Sequence, residues 1–412
     1  MNVRRQAVEA LQKILNEGAY SNLTIHAILT SQKEYTSQEA GFLTELVYGT
    51  LQHKLTIEYY FEPLLEGKKL KPWLRTLLLV SGYQLIYLPN IPEHAILDEA
   101  TKIAHQKGDR QAAKFVTAIL RNFLRAPRPT LEAITDPLKR LSIETSHPLW
   151  IVKLLAKQYD FATATAICRH NNQPPLKTAR VNRLKNEVLP AEFIPGHYPQ
   201  SVILTKGNIG NTAAFTKGLV SIQDEASMQV APMLDPQPGE YILDMCAAPG
   251  GKTCHLAELM NNTGTIIAND VHEHKLALIQ NQAQRLGITC IETICHDATA
   301  LATVFAPESF DRILVDAPCS GLGVIRRKPE IRYNIQPQDL DALITIQQTI
   351  LQTAIKLVKP GGTIVYSTCT TNKKENEKQF GQLTDVTVLA QHQFTGDDGL
   401  SDGFFIAKLQ KH

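Results

Sequence analysis

Two short stretches of the chain set a thiol close to groups that can hold or move a proton. Asp316-Ala317-Pro318-Cys319 closes the apolar run Ile313-Leu314-Val315 and leads into the loop Ser320-Gly321-Leu322-Gly323. Tyr366-Ser367-Thr368-Cys369-Thr370 ends a second apolar run, which the turn Pro360-Gly361-Gly362 introduces. In open α/β sheets ligands bind outside the carboxyl ends of the strands, so an acid and two thiols at such ends stand where chemistry is done. The competing reading of each is a buried structural cysteine in a turn, since free cysteine is among the most buried residue types. Neighbouring strands lie about 4.8 Å apart, so Cys319 and Cys369 at adjacent strand ends can flank one substrate.

Paired thiols suit one kind of group transfer better than others. Carbon 5 of a pyrimidine is a poor nucleophile, but a thiolate that adds to carbon 6 turns the ring into an enamine whose carbon 5 attacks a methyl donor. A base then removes the carbon 5 proton and the thiolate leaves, so one hard step becomes several easier ones. An acid near ring nitrogen 3 stabilises the charge that develops on addition, a task for Asp316 if it is protonated or paired with the cytosine edge. Methylation of oxygen or nitrogen needs no thiol, so the pair points to carbon methylation.

The methyl donor has its own set of residues. A strand at 241–243 runs into Asp244-Met245-Cys246-Ala247-Ala248-Pro249-Gly250-Gly251-Lys252-Thr253 and straight into a helix. Small residues and two glycines let the backbone approach a ligand closely, at a helix start with positive polarity. The loop matches neither Gly-x-Gly-x-x-Gly nor the spacing of a phosphate-cradling Walker loop. Asp270 ends the second strand, where a carboxylate takes both hydroxyls of a ribose, and Asp297 follows the third, placed to meet an adenine amino group. Each acid alone is an ordinary turn or helix cap. In this order they imply an adenosine-type cofactor without a pyrophosphate, S-adenosyl-L-methionine.

The elements that hold these residues follow from periodicity. From 236 onward, apolar runs at 241–243, 265–268, 291–294, 313–315 and 363–366 alternate with helical stretches at 252–260, 272–286 and 340–358. That alternation predicts a doubly wound, mainly parallel sheet with helices on both faces. Late strands at 386–390 and 404–409 add an antiparallel edge, and Lys374-Glu375-Asn376-Glu377 is expected to open a helix. Residues 3–125 are helical in pattern almost throughout, predicting six or seven helices. A proline-bearing connector spans 126–145, and the stretch up to 235 mixes a helical part with short strands, giving a small α+β unit. The expected domains are therefore 1–140, 141–235 and 236–412.

Composition bounds the rest. With 43% hydrophobic and 20% charged residues, the chain reads as a globular protein of the cytoplasm. No window is long and apolar enough to span a bilayer, and no signal-peptide pattern opens the sequence. Seven cysteines without framework spacing argue for free thiols, and the lack of a Cys-x-x-Cys pair argues against structural zinc. Residues 1–150 carry 18 Lys and Arg against 15 Asp and Glu, and residues 236–412 carry 15 against 19. So mild an excess fits a phosphate-binding surface without predicting one. Arg180, Arg183 and Lys185 are candidates for phosphate contacts, and Cys168, Cys254, Cys290 and Cys295 read as packing residues.

Two blocks of the helical half, Tyr83-Gln84-Leu85-Ile86-Tyr87-Leu88 with Ile91 to Ala100, and Phe115 to Arg121, resemble the NusB-type RNA-binding fold. The motifs at 244–253, 316–331 and 367–377 resemble those of the bacterial RsmB family, also known as Fmu or Sun, which methylates cytosine carbon 5 in small-subunit ribosomal RNA. The resemblance covers essentially the whole chain. It implies an all-α NusB-like domain, a small α+β linker domain and a Rossmann-like class I methyltransferase domain. It also implies that the loop from Cys246 to Lys252, with Asp270, Asp297 and Asp316, lines the S-adenosyl-L-methionine site. Cys369 would be the nucleophile, while Cys319 assists later steps including product release. Taken alone, Cys319 is the natural candidate for attack; the resemblance assigns that role to Cys369. Thr370 stands where the family commonly has Ser and Glu330 where Asp is usual. The partner implied is ribosomal RNA, with no metal and no membrane, and the chain itself is expected to be a monomer. A second reading makes the chain an RNA-binding or ribosome-assembly factor with an idle methyltransferase fold, and a DNA cytosine methyltransferase is a weaker third.

Overall fold

The computed structural model describes residues 2–31, 35–185, 188–396 and 399–412. They form two compact units, one of Met1–Gln173 with Ile325–Ile335, the other of Pro174–Val324 with Gln336–His412.

The first unit is helical: α1 (Val3–Glu17), α2 (Ser21–Ser31), α3 (Ser37–Leu65), α4 (Pro72–Tyr87), α5 (Glu93–Lys107), α6 (Arg110–Arg125), α7 (Pro137–Thr145), α8 (Leu149–Gln158) and α9 (Phe161–His170). Its longest helix, α3, starts at a capping box in which Thr36 and Glu39 satisfy each other's backbone N–H groups. Leu43, Leu46, Val47 and Leu51 of α3 pack with Leu77, Leu78 and Val80 of α4. Helix α7 lies inside the stretch expected to be a bare connector. Asp136 caps it and Pro137 occupies its first turn, a start signal strong enough to override the surrounding prolines.

Residues 325–335 lie far along the chain yet belong to this helical unit. Arg332, fully buried, donates to Thr145 O and Ser146 O at 3.1 Å each and to Asn172 Oδ1 at 3.1 Å. Tyr333 donates its hydroxyl to Leu51 O at 2.7 Å, and buried Glu330 accepts from Ser21 N and Oγ at 3.0 and 2.8 Å. Glutamate at 330 is thus a packing partner of α2.

The second unit contains two sheets. Strands β1 (Thr178–Val181), β2 (Phe193–Pro195), β3 (Ser201–Leu204) and β4 (Val220–Ile222) form an antiparallel sheet in the order β2-β3-β1-β4. Strands β5 (Tyr241–Asp244), β6 (Thr265–Asn269), β7 (Ile291–Ile294), β8 (Phe310–Asp316), β9 (Val358–Thr368), β10 (Val386–Phe394) and β11 (Phe404–Lys411) form the large sheet, ordered β10-β11-β9-β8-β5-β6-β7. Five of them run parallel, and β11 pairs antiparallel with both β9 and β10, the expected edge.

Both faces of the large sheet are covered, which is why its strands read as continuous apolar runs. Leu243, Ile313, Val315 and Ile364 pack with Ile350, Leu351 and Ala354 of the helix Pro337–Leu357. Ile242, Ile266, Leu314 and Val365 pack on the opposite face with Leu256 and Ala257 of the helix Gly251–Leu259 and with Leu286 of the helix Glu273–Leu286. The chain moves outward in one direction through β6 and β7, then in the other through β8 and β9. The switch point lies between β5 and β8, where an open sheet binds its ligand.

The helix expected at 374–377 does not form; a short turn, Glu377–Gln379, stands there. Asn376 donates to Thr370 O at 3.0 Å and accepts from Thr368 Oγ1 at 2.6 Å, while Tyr366 OH donates to Glu375 O at 2.8 Å. These inward bonds take up the groups that a first helical turn would need.

Candidate active site

The loops after β5, β8 and β9 carry the candidate residues at the carboxyl end of the sheet. β8 and β9 are parallel, with Asp316 opposite Ser367, and this register sets the centre of the site. Asp316 accepts from Ser367 Oγ through Oδ1 at 2.8 Å and from Lys252 Nζ through Oδ2 at 2.7 Å. Both oxygens therefore act as acceptors, the arrangement of a carboxylate.

The chain past Asp316 turns so that Cys319 Sγ lies 3.3 Å from Cys369 Sγ. Gly323 N donates to Cys369 O at 3.0 Å and Gly403 N to Gly323 O at 2.8 Å. A Cβ on Gly323 would lie 1.9 Å from Gly403 O, so this crossing of two backbones requires glycine.

Electrostatics sort the two thiols. The Cys319 thiol is held well above the usual range, first by its hydrogen bond with Cys369, then by burial and by the negative charges of Cys369 and Glu375. Burial works against the Lys252 ammonium, yet Asp316 holds it above the ordinary lysine value, and Cys369 adds to that pull. Lys252 is thus the cation paired electrostatically with Cys369, while the Glu375 charge adds to what holds Cys319 protonated.

The loop from Cys246 to Lys252 is closed by Gly250 at φ 102°, where a Cβ would press on Ile279 at 3.1 Å. Above Gly251 the space a Cβ would take is open to 4 Å. Asp244 accepts from Thr253 Oγ1 at 2.7 Å, while its Oδ1 is buried without a partner among the described residues. Burial raises the Asp244 carboxyl to about 7, with Asp316 adding to the rise and the Thr253 bond opposing it. Burial also lifts the Cys246 thiol well up, helped by the charges of Asp244, Asp316, Asp270 and Asp297, so those carboxylates surround this loop. Asp270 is buried and accepts from His272 N at 2.9 Å. Asp297 is exposed and caps a short turn through Thr299 N at 2.9 Å.

Three comparisons bear on this arrangement. Residues 231–410 match the model of the family described as 16S rRNA methyltransferase RsmB/F, residues 1–125 that of the NusB family, and residues 147–189 the ferredoxin-like domain of RsmF/B-like methyltransferases. The chain is 47% identical over 388 residues to the probable ribosomal RNA small subunit methyltransferase B of Bacillus subtilis, covering 92% of this chain and 87% of that protein. The chain belongs to the RsmB/F methyltransferase family. A protein of the same name from Synechocystis is 33% identical over the full length of both chains, 100% of each. The crystal structure of PH0851, at 24% identity, covers 100% of this chain and 99% of its own with a TM-score of 0.85, and shares the fold.

For this RsmB/F family member the structure brings Lys252, Asp316, Cys319 and Cys369 together. Arg180, expected to face phosphates, is instead fully buried: it pairs with Glu258 at 2.7 Å and donates to Gly251 O at 3.2 Å. Cys168 and Cys254 are buried as packing residues, but Cys295 is exposed. Sequence reasoning gave no role to Ser367, Asp244 or Glu375. All three lay inside quoted motifs, and the register of β8 on β9 supplies the signal for Ser367.

Proposed function

We propose that this protein transfers a methyl group from S-adenosyl-L-methionine to carbon 5 of a cytosine in small-subunit ribosomal RNA, through a covalent adduct between Cys369 and carbon 6. The observation that carries this reading is the pair of thiols 3.3 Å apart at the ends of parallel strands, next to the Lys252–Asp316 ion pair.

The residues of the β5 loop fit the cofactor. The unpartnered Asp244 oxygen suits a cationic amino group, the open space over Gly251 admits close approach, and Asp270 and Asp297 would meet the ribose and the adenine. Bound there, S-adenosyl-L-methionine supplies an electrophilic methyl group. Asp316 accepts from the cytosine amino group, and the Lys252 ammonium beside it lends a proton to ring nitrogen 3 as the Cys369 thiolate bonds to carbon 6. Cys319 stays a thiol while Cys369 is free, because its bond to Cys369 is the largest cause of its raised pKa. Once the Cys369 sulfur is joined to carbon 6 that cause is gone; Cys319 then gives its own proton to solvent and, as a thiolate, takes the carbon 5 proton as the Cys369–carbon 6 bond breaks and ring nitrogen 3 returns its proton to Lys252. A pyrimidine must be unpaired or opened for a thiol to reach one face of its ring. The enzyme acts in the cytoplasm on this reading.

The test is methylation of small-subunit ribosomal RNA by the purified protein, with 5-methylcytosine mapped by sequencing. One methylated cytosine with the wild type and none with Cys369→Ala is expected. Methylation of another atom, or full activity without Cys369, contradicts the proposal.

A further inference from the structure

Glu375 is fully buried, and among the described residues the groups that donate to its carboxylate are uncharged. It accepts from Ser320 N at 2.8 Å, Ser320 Oγ at 2.6 Å, Asn372 Nδ2 at 3.0 Å, Gln347 Nε2 at 3.1 Å and Thr370 Oγ1 at 3.4 Å. Ser320 follows Cys319 directly and Thr370 follows Cys369 directly, and their hydroxyls lie 2.8 Å apart. Gln347 also donates to Pro318 O at 2.9 Å, just before Cys319, and accepts from Gln379 Nε2 at 2.9 Å.

A buried carboxylate without a cation is expensive unless its lone pairs are filled. The donors converge from both thiol loops and from the helix Pro337–Leu357. Only an acceptor-only side chain of this length satisfies all of them; a glutamine would turn an NH₂ toward other donors. The negative charge also adds to what keeps Cys319 protonated in the resting site.

We propose that Glu375 is a positioning residue for the two-thiol reaction: its carboxylate ties the backbone N–H and hydroxyl of Ser320, next to Cys319, to the side chains of Thr370 and Asn372, just after Cys369, and so sets the sulfur–sulfur separation on which adduct release depends. The reactive part of this proposal rests on the function proposed above; the separation itself does not.

The experiment uses the full chain and two readouts. In the first, diamide oxidises the thiols: two protons and two electrons pass from Cys319 and Cys369 to diamide, which becomes the hydrazine, and the disulfide peptide is quantified by mass spectrometry. Glu375→Gln is expected to form this disulfide about tenfold more slowly than the wild type, since displacements near 1 Å are costly in reactions that depend on alignment, and Glu375→Asp is expected to recover part of the rate. In the second, each variant turns over small-subunit ribosomal RNA with S-adenosyl-L-methionine, and Glu375→Gln is expected to accumulate a covalent protein–RNA adduct. An unchanged disulfide rate in Glu375→Gln overturns the positioning role. If Glu375→Gln does not fold, Ser320→Ala, which removes one hydroxyl from the clamp, decides by the same oxidation rate: slower supports the clamp and unchanged overturns it. A slowed disulfide with no adduct even in Cys319→Ala leaves the clamp standing and counts against the covalent mechanism.

Discussion

Arg180 Nη2 lies 2.7 Å from Glu258 Oε1 with both side chains fully buried, and Arg180 Nη1 reaches Gly251 O at 3.2 Å. A residue of the small sheet thereby holds the first turn of the helix behind the candidate cofactor loop. Removing one member of a buried ion pair strands the other, which is destabilising by about 3–5 kcal/mol. Arg180→Ala is expected to lose stability on that scale in denaturant melts and to weaken S-adenosyl-L-methionine binding in calorimetry. A loss below about 1 kcal/mol, the range of exposed pairs, would contradict the structural role.

Asp244 sets a pH dependence of defined sign. Its carboxyl is raised by burial from the ordinary 3.8 to about 7 in the folded chain. The folded state therefore holds this proton more tightly than the unfolded state, and the associated stability is present at low pH and lost as pH rises through about 7. Asp244→Asn keeps the shape and cannot ionise. Relative to this variant the wild type is expected to lose stability between about pH 4 and about pH 7 and no further above it. Melts without cofactor across that range check this, and a stability difference independent of pH would refute it.

Gly49 governs the crossing of α3 and α4. A Cβ there would lie 2.0 Å from the Tyr83 ring. Gly49→Ala is expected to destabilise the chain by about 3 kcal/mol, as overpacking does. Tyr83→Leu added to that variant should recover part of the loss, and thermal melts of the single and double variants measure both.

The large sheet was legible because burial on both faces leaves continuous apolar runs, and Cys319, Cys369 and Asp316 were legible because each ends such a run. What stayed hidden depends on partners far along the chain. Arg180 looked like a surface cation beside Arg183 and Lys185, and its partner Glu258 lies 78 residues on. Glu330 looked like part of a catalytic motif, while Ser21, which it holds, is 309 residues away. The failed helix at 374–377 has the same origin: local propensity favoured it, and the inward bonds of Glu375 and Asn376 to the thiol loops prevailed. Helix α7 was the opposite case, since Asp136-Pro137 is a local start signal that its proline-bearing surroundings obscured.

The central claim is that Cys369 attacks and Cys319 releases. The most direct measurement incubates the Cys319→Ala variant with S-adenosyl-L-methionine and small-subunit ribosomal RNA, digests the product and identifies the residue bonded to the base by mass spectrometry. A trapped adduct through Cys369 to carbon 6 of a cytosine that already carries its 5-methyl group is the predicted result. No adduct, or an adduct through any other residue, would contradict it.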